Sequence, residues 1–430
     1  MTAEPLPLSL LPDTAAVDPS TGRLTIAGCD LVELAAEHGT PLFVYDEQHL
    51  RNRCRQAIEA FGPDSVVYAS KAFLCKAMAR LAHDEGLMID VATGGELHVA
   101  LAAGVPAQRT VLHGNNKSID ELRNAINAGV HHIVVDSFDE LDRLDALHAS
   151  GETGGRRPRV LLRITPGIEA HTHEFVRTGQ EDSKFGFGVR SGAAAAAAKR
   201  ASTSTSVELF GLHAHIGSQV FAMASFEQAV EVLGSIVNEF ELPELTIGGG
   251  LGVAYVSGET SPAFADWATA VHQAVVAAGV TAHVTVEPGR AIVASAAVTL
   301  YSVGTIKPLP GIRTYVSVDG GMSDNPRPVL YGSGYEAFLP RVPLAERPAA
   351  VRLVGKHCES GDLLINEAWM PEDLAVGDIV ATPVTGAYGY SMASNYNKVP
   401  RPAVVFVRDG AARPVIRRET YDDLVRLDLD

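Results

Sequence analysis

Residues 65–71 read Ser65-Val-Val-Tyr-Ala-Ser-Lys71, an apolar, β-branched run that ends in polar residues. Such a run is typical of a buried strand. Seven similar runs follow it before about Thr299, and segments with helical period lie between several of them. The eight runs are Ser65–Lys71, Leu87–Ala92, Thr110–Gly114, His132–Ser137, Arg159–Thr165, Leu209–Gly217, Leu245–Gly249 and Ala282–Glu287.

Eight strand–helix units in series predict a (β/α)8 TIM-type barrel, an α/β fold whose chemistry lies on the loops after the strands. The alternative is an open, doubly wound sheet, because discarding the weaker runs leaves six strands. Ser118 and Ser137 stand where helix N-caps are expected. The tract Ala193–Ala198 predicts a surface helix without an assigned function. The other predicted helices are Cys75–Glu85, Glu96–Ala103, Ile119–Ala128, Phe138–His148, Phe226–Phe240 and Ala265–Ala278.

The pattern changes from about Leu300, where helical period nearly vanishes. Strand-like runs separated by Gly, Pro and Asp predict a C-terminal antiparallel β domain, to which Arg23-Leu-Thr-Ile-Ala27 can add a strand. We therefore predict a barrel over residues 41–299 and a β-sandwich or β-barrel-like domain from residues 1–40 and 300–430. Its clearest strands are Thr314–Val318, Val351–Val354, Ile379–Thr382 and Ala403–Arg408.

Composition narrows the class of protein. The 430 residues are 46% hydrophobic and 20% charged, which suffices for a large core, and the net charge of -16 argues against nucleic acid or an anionic membrane as partner. A phosphate or carboxylate site must therefore bring its own arginines. The four cysteines show no metal-type spacing and fit a reducing compartment. The N-terminal segment lacks the features of a signal peptide, and no run is long enough to span a bilayer, so we expect a soluble, cytoplasmic protein.

Several strand ends of the predicted barrel carry residues suited to chemistry. Lys71 can act as a nucleophile if it loses its proton, and a neutral amine forms a Schiff base with an aldehyde. The turn Gly248-Gly-Gly-Leu-Gly252 lets backbone amides approach a phosphate closely. In Glu287-Pro-Gly-Arg290 the guanidinium can grip an oxyanion, while the carboxylate can pair with a cationic ring nitrogen. Each feature also has a plain structural interpretation as a solvated charge, a flexible turn or a local ion pair.

Two histidines end the sixth run, in His213-Ala-His215-Ile-Gly-Ser218. Alternation puts both on one face of the strand, which could indicate a metal site. No third ligand stands nearby in the sequence, so we predict no metal. A histidine stacked on a planar cofactor, with Ser218 donating to a phosphate, is the preferred interpretation.

The predicted β domain carries a second set of motifs. Asp324-Asn-Pro-Arg327-Pro-Val-Leu-Tyr331 places an arginine and a tyrosine in a rigid loop, and Gly386-Ala-Tyr388-Gly-Tyr390 is an aromatic loop flanked by glycine. In His357-Cys358-Glu359-Ser-Gly-Asp362 a thiol stands beside a carboxylate, and the neighbouring histidine can shift its thiolate population.

Taken in order, these motifs resemble those of the barrel-type pyridoxal-phosphate decarboxylases of basic amino acids, over roughly Pro41 to Pro402. The shared motifs are Tyr68-Ala-Ser-Lys71-Ala, Asp90-Val-Ala-Thr-Gly-Gly-Glu96, His215-Ile-Gly-Ser218, Gly248–Gly250, Glu287–Arg290, Cys358–Asp362 and Gly386–Tyr388. Three further motifs resemble those of the subgroup that acts on a diamino dicarboxylic acid: Asn325-Pro-Arg327-Pro with Tyr331, Cys358-Glu359-Ser-Gly-Asp362, and Ser394-Asn-Tyr396-Asn.

The resemblance implies pyridoxal 5'-phosphate as cofactor, held covalently by Lys71, with Glu287 at its ring nitrogen and His215 against its face. Cys358 would protonate the α-carbon after decarboxylation, across the interface of a homodimer. The resemblance also implies phosphate contacts from Ser218, Gly248, Gly249, Gly250, Gly289 and Arg290, and a further cofactor contact from Tyr388. It implies substrate contacts from Arg290, Arg327, Tyr331, Glu359 and Tyr388, with Glu359 also crossing the interface.

Three rival functions stay open at this point. A decarboxylase of the same fold acting on ornithine, arginine, lysine or carboxynorspermidine would want an acidic distal pocket, which Arg327 and Tyr331 disfavour. A racemase needs a base on each face of the cofactor, and the pair Cys358-Glu359 with a long β domain disfavours it. An inactive regulator would be expected to lose Lys71 or Cys358, and both are present.

Overall fold

The computed structural model describes residues 5–168 and 182–429. The chain divides into two compact units. The barrel unit comprises Arg53–Gly252 and Ser261–Ala291, and the β unit comprises Met1–Asn52, Val253–Thr260 and Ile292–Asp430. The predicted domain boundaries at residues 41 and 299 stay a prediction.

All eight predicted barrel strands are confirmed. They form one parallel sheet in which each strand pairs with its neighbours in chain order. The sheet closes between its ends through a parallel bridge from Val66 to Val286, where Val67 N donates to Val286 O at 2.9 Å. The open-sheet alternative is therefore wrong. The strands are β1 Val67–Ala69, β2 Met88–Val91, β3 Thr110–Leu112, β4 His132–Val135, β5 Arg159–Thr165, β6 Glu208–His213, β7 Glu244–Thr246 and β8 His283–Thr285.

The predicted helices of the barrel unit are confirmed as well. Ser118 forms a capping box with Glu121, and the Ser137 side chain accepts from Glu140 N, so both predicted N-caps are correct. A two-residue strand, Phe187–Gly188, adds to the edge of β5. The helices of this unit are Lys76–Asp84, Gly94–Ala102, Ile119–Ala128, Phe138–Ser150, Ala193–Ser202, Ala224–Glu239 and Phe264–Ala277, while Glu47–Phe61 and Arg290–Val293 contain the points where the chain passes between units.

The barrel interior is layered. Its apolar layer packs one buried residue from each of β1 to β5, with Phe210 of β6 against them. Because side chains alternate along a strand, a step of two residues from this layer reaches the same face nearer the carboxyl ends. The apolar layer consists of Val67, Met88, Val111, Val134 and Leu161, and the positions two residues further along the last four are Asp90, His113, Asp136 and Arg163.

The amino-terminal end of the barrel interior is polar. His132 begins β4, Glu244 begins β7, and both are buried. Burial lowers the pKa of His132 to about 3 and raises the pKa of Glu244 to about 7. The Phe210 ring lies 4.9 Å from the His132 ring and separates this layer from the apolar one.

The main sheet of the β unit confirms the four predicted C-terminal strands and adds Leu42–Asp46. Most neighbouring strands are antiparallel, but Leu42–Asp46 runs parallel to Ala403–Arg408, and Arg313–Val318 runs parallel to Ala349–Val354. In spatial order the strands are Leu363–Met370, Ala349–Val354, Arg313–Val318, Ala297–Leu309, Leu42–Asp46, Ala403–Arg408 and Ala411–Ile416, with Ile379–Pro383 also paired to Ala297–Leu309.

The N-terminal strand predicted at Arg23–Ala27 exists as Leu24–Ile26, but it does not join that sheet. It forms a separate three-stranded sheet with Ala16–Val17 and Cys29–Asp30. Among the described residues, no helix is long and apolar enough to cross a membrane. The remaining helices of the β unit are Leu31–His38, Arg327–Tyr331 and Tyr421–Val425.

Candidate active site

Lys71 follows β1 in a short 3-10 turn, Ser70–Ala72. Its two neighbours are buried while its own side chain is exposed, so the amine is accessible at the carboxyl end of the barrel. The loop after β8 comes close here, because a Cβ atom on Gly289 would lie 2.8 Å from Ala69 O. Glycine at this position therefore allows the end of β8 to pack beside the lysine.

Glu287 lies between two imidazoles. His213 Nε2 is 2.8 Å from its Oε2, and His113 Nε2 is 2.9 Å from its Oε1. Burial alone would raise the pKa of Glu287, but the two histidines outweigh it and hold that pKa well below its usual range. The side chain is therefore a carboxylate at neutral pH, as a partner for a cationic ring nitrogen must be.

The two histidines are not equivalent. Burial lowers the pKa of His213 to about 4, which leaves its ring neutral. Burial also lowers the pKa of His113, but the charges of Asp90, 3.9 Å away, and of Glu287 raise it above the ordinary value overall. The charges of Asp90 and Glu287 therefore favour the cationic form of His113.

The glycine turn after β7 packs tightly against its neighbours. A Cβ atom on Gly249 would collide with Glu287 O, and one on Gly250 with Gly217 O. Gly248 and Gly250 also adopt positive φ, at 72° and 95°. Backbone packing alone thus requires glycine at all three positions, since Gly248 would meet Ala214 O in the same way.

A guanidinium and a hydroxyl, groups that suit an oxyanion, lie beside this turn. Arg290 Nη2 donates to Ser218 Oγ at 2.8 Å, and Arg290 is buried. His215 Nδ1 accepts from Gly249 N at 3.3 Å, which fixes the ring, and burial keeps the pKa of His215 well below its usual value. An amine, an ionised carboxylate, a neutral flat ring and a guanidinium with a hydroxyl are the groups that pyridoxal phosphate requires, so the residues of the barrel unit fit this cofactor.

Three polar residues near the site received no role from their sequence context. Asp90 is buried, and burial raises its pKa despite the charges of His113 and Lys71. Arg163 lies 3.8 Å from Asp136, and burial lowers its pKa. His113 is the third. All three lie two residues after an apolar strand residue that faces the barrel interior. This spacing can be seen in the sequence.

The β unit places its predicted residues in two groups. Arg327 is buried, donates to Tyr335 Oη at 2.5 Å, and stacks over the Tyr255 ring at 4.2 Å. Tyr331 is the last residue of the short helix Arg327–Tyr331 and is partly exposed. Tyr388 has a positive φ of 60° in its glycine-flanked loop. Tyr255 and Tyr335, which orient Arg327, were not predicted.

Cys358 and Glu359 are both exposed, on a turn that is otherwise firmly held. His357 N donates to Asp362 Oδ2 at 2.8 Å, and Cys358 N donates to Asn397 Oδ1 at 3.2 Å. The His357 ring is buried against Ser323 and Asn397, with its nitrogens 2.8 Å and 3.2 Å from their oxygens. The turn therefore presents the thiol and carboxylate outward.

A cation site is geometrically possible at Glu287. The sequence offered no third ligand for the pair His213 and His215, whereas the structure groups His213 with His113 and Glu287, with ligand atoms within 4.8 Å of one another. The carboxylate of Glu287 in this group also suits a pyridinium nitrogen.

Comparison with known proteins agrees with this site. The family model described as pyridoxal-dependent decarboxylase, pyridoxal binding domain, matches residues 47–294. The chain therefore belongs to the family of pyridoxal-dependent decarboxylases, enzymes that use pyridoxal phosphate. Among its relatives are the diaminopimelate decarboxylases of Mycobacterium tuberculosis H37Rv, 50% identical over 95% of each chain, and of Bacillus subtilis, 46% identical over 95% of each.

Solved structures give the same result. The crystal structure of diaminopimelate decarboxylase from M. jannaschii in co-complex with L-lysine is 32% identical, covers 97% of this chain and 98% of its own, and has a TM-score of 0.89. The predicted family, fold class and cofactor are confirmed.

Proposed function

We propose that this chain removes the carboxylate at the D centre of meso-2,6-diaminopimelate, giving L-lysine and carbon dioxide, the last step of lysine biosynthesis. The observation that carries the reaction class is the ionised Glu287 between His113 and His213, in the same barrel unit as Lys71. The relatives named diaminopimelate decarboxylase support the substrate.

In this proposal each barrel residue contacts a different part of the cofactor. Lys71 would hold it covalently, His215 would lie against its ring, and Glu287 would keep a proton on the ring nitrogen. When bound, pyridoxal phosphate supplies an electron sink for the charge left at the α-carbon after carbon dioxide departs. The phosphate contacts are assigned to Ser218, Gly248, Gly249, Gly250, Gly289 and Arg290.

The β unit supplies the substrate contacts in this proposal. Arg327 binds the carboxylate that stays, Glu359 meets the distal ammonium, and Cys358 protonates the α-carbon. Since Cys358 and Glu359 are exposed on a fixed turn, we propose that they act across a homodimer interface. Further substrate contacts are assigned to Arg290, Tyr331 and Tyr388.

The location and domain division are proposals too. Four free cysteines support a reducing, cytoplasmic compartment. We propose that residues 41–299 act as the cofactor-binding domain, and residues 1–40 with 300–430 as the domain that completes the site.

The test is product analysis. The pyridoxal-phosphate-loaded protein is incubated separately with meso-diaminopimelate, L-lysine, L-ornithine and L-arginine, and carbon dioxide and amine products are measured, with Lys71→Ala as control. Carbon dioxide and L-lysine from diaminopimelate alone is the expected result. Release from another amino acid would overturn the substrate, and no release from any would overturn the reaction.

A further inference from the structure

A second cluster of potential ligands lies at the opposite end of the barrel strands from Lys71. It consists of His131, His132 and Glu244, whose ligand atoms all lie within 4.8 Å of one another. His132 and Glu244 are the first residues of β4 and β7, and His131 directly precedes β4. The cluster is therefore built on two strands of the closed sheet, which hold its members in place.

His132 is an anomaly in this cluster. The residue is 1% exposed, yet neither ring nitrogen has a hydrogen-bond partner among the residues that the structure describes. A neutral imidazole always carries one donor and one acceptor, and each costs free energy when it is buried without a partner. The ring is thus aimed at a carboxylate that it does not reach.

Among the described residues, the Glu244 side chain makes only long hydrogen bonds. Its Oε1 lies 3.8 Å from His132 Nδ1, too far for a hydrogen bond, and its described hydrogen bonds from Thr246 and Thr285 are long, at 3.4 Å and 3.5 Å. Arg159, the nearby guanidinium, stacks over Phe210 and lies 3.7 Å from Glu208. Glu244 therefore has room for a closer cationic partner.

A cation between these groups would satisfy both. Two ligands on one zinc ion, each about 2.0–2.1 Å from the metal, are separated by roughly 3.4 Å, slightly less than the 3.8 Å seen here. Two imidazoles and one carboxylate are ligands that suit zinc and related divalent ions. We propose that His131, His132 and Glu244 form a binding site for a divalent transition-metal cation, with zinc as the fitting ion, and that water completes its coordination.

The role of this site would be structural. It lies at the amino ends of the strands, whereas barrel chemistry occurs at the carboxyl ends. A cation there links β4 to β7 across the barrel interior. It stabilises the folded barrel because it binds the native state and not the unfolded chain. The proposal is independent of the substrate and of decarboxylation.

The test is metal uptake by the pyridoxal-phosphate-loaded protein, because cofactor occupancy removes the group around Glu287 from competition. Chelator-treated holoenzyme is titrated with zinc against a competing dye, and Glu244→Gln and His132→Gln are compared with His98→Gln, which alters an exposed histidine of the same unit. We expect about one zinc per chain in the wild type and His98→Gln, and affinity weakened by roughly 100-fold in the other two.

Cobalt substitution identifies the ligands and covers the event that a core variant fails to fold. We expect the visible bands of a nitrogen- and oxygen-ligated cobalt ion, and their loss in His131→Ala, which changes only the partly exposed member. Thiolate-to-cobalt bands would assign the metal to the exposed Cys358 and overturn the proposal. So would zinc affinity unchanged in Glu244→Gln, or no uptake by the wild type.

Discussion

His113 Nε2 lies 2.9 Å from Glu287 Oε1, and the other oxygen of that carboxylate is 2.8 Å from His213. Each oxygen therefore lies beside an imidazole from a different strand end, and the contact with His213 is a hydrogen bond. Asp90 stands 3.9 Å behind His113 and favours its charged form. The result is a buried series of three titratable groups, Asp90, His113 and Glu287, and its terminal carboxylate is the one proposed to pair with the cofactor nitrogen.

Replacing His113 by Gln tests this series, since Gln keeps an N–H donor but removes the positive charge. The pKa of Glu287 should rise, because the charge of His113 is the main influence that lowers it. We expect pyridoxal phosphate to bind roughly tenfold more weakly, and the pH dependence of its bound absorbance to shift. In a Glu287→Gln background, the same change should have little further effect, because His113 acts through Glu287. Additive effects would contradict the relationship.

A buried ion pair holds the neighbouring strand ends. Lys117 Nζ donates to Gly114 O, Val134 O and Glu140 Oε1, each at 2.6 Å, and both charged side chains are 1% exposed. Lys117→Met leaves a buried carboxylate without its cation, and we expect a loss of about 3–5 kcal/mol, seen as a large fall in thermal midpoint.

The matched control is Arg200→Met, which removes the partly exposed pairs with Asp142 and Asp145 and should cost under about 1 kcal/mol. Adding Glu140→Leu to Lys117→Met should recover much of the loss. Equal midpoints for the two single variants would show that Lys117 is not a structural cation.

The sequence predicted the barrel because parallel strands are buried on both faces and read as continuous apolar runs. The sequence did not indicate that Leu42–Asp46, an equally continuous apolar run, belongs to the main sheet of the β unit. That strand pairs with Ala297–Leu309 and Ala403–Arg408, more than 250 residues away, and no local signal records such partners. For the same reason the contact between His113 and Glu287 was missed, although each residue stands at a strand end.

The sequence did not indicate the partners of His357. Its ring is held by Ser323 and Asn397, which lie 34 and 40 residues away in the chain. The effect of His357 on the thiolate population of Cys358 stays a prediction. The residues that orient Arg327 were missed as well, because Tyr255 lies 72 residues before it and Tyr335, eight residues after it, showed no pattern that linked it to the arginine.

Asp324 gives a pH-dependent prediction. It accepts from Tyr301 Oη at 2.6 Å and from Gly321 N at 2.8 Å, and burial raises its pKa from 3.8 to about 7. Since the native state binds the extra proton between these values, the free energy of unfolding falls as pH rises from about 4 to 7, by up to about 4 kcal/mol. Asp324→Asn should lose this dependence. The thermal midpoint of the variant should therefore rise relative to that of the wild type as the pH increases from about 4 to 7. Parallel midpoint curves would contradict it.

Arg327 should matter for substrate and not for cofactor. We expect Arg327→Ala to cost about 2 kcal/mol or more of transition-state stabilisation, measured as a fall in kcat/KM for diaminopimelate. The reason is that a buried carboxylate would lose its charged partner. Tyr335→Phe removes only the hydroxyl that Arg327 contacts, and should cause a smaller loss, mainly in KM. Cofactor absorbance serves as the control in both variants. Unchanged kcat/KM in Arg327→Ala would remove its assigned role.

Cys358 allows the proton-donor role to be separated from folding. Its side chain is exposed, and the atom that binds Asn397 is its backbone N, which the substitution keeps, so Cys358→Ala should change stability by less than about 0.5 kcal/mol. We expect slower turnover, or protonation at the wrong position, with cofactor binding intact. The measurement is the rate of carbon dioxide release together with product identity, in deuterated water to record where the solvent hydrogen enters. A variant with the wild-type rate and product would show that another group delivers the proton, because the exposed thiol is the only part of the site that this substitution removes.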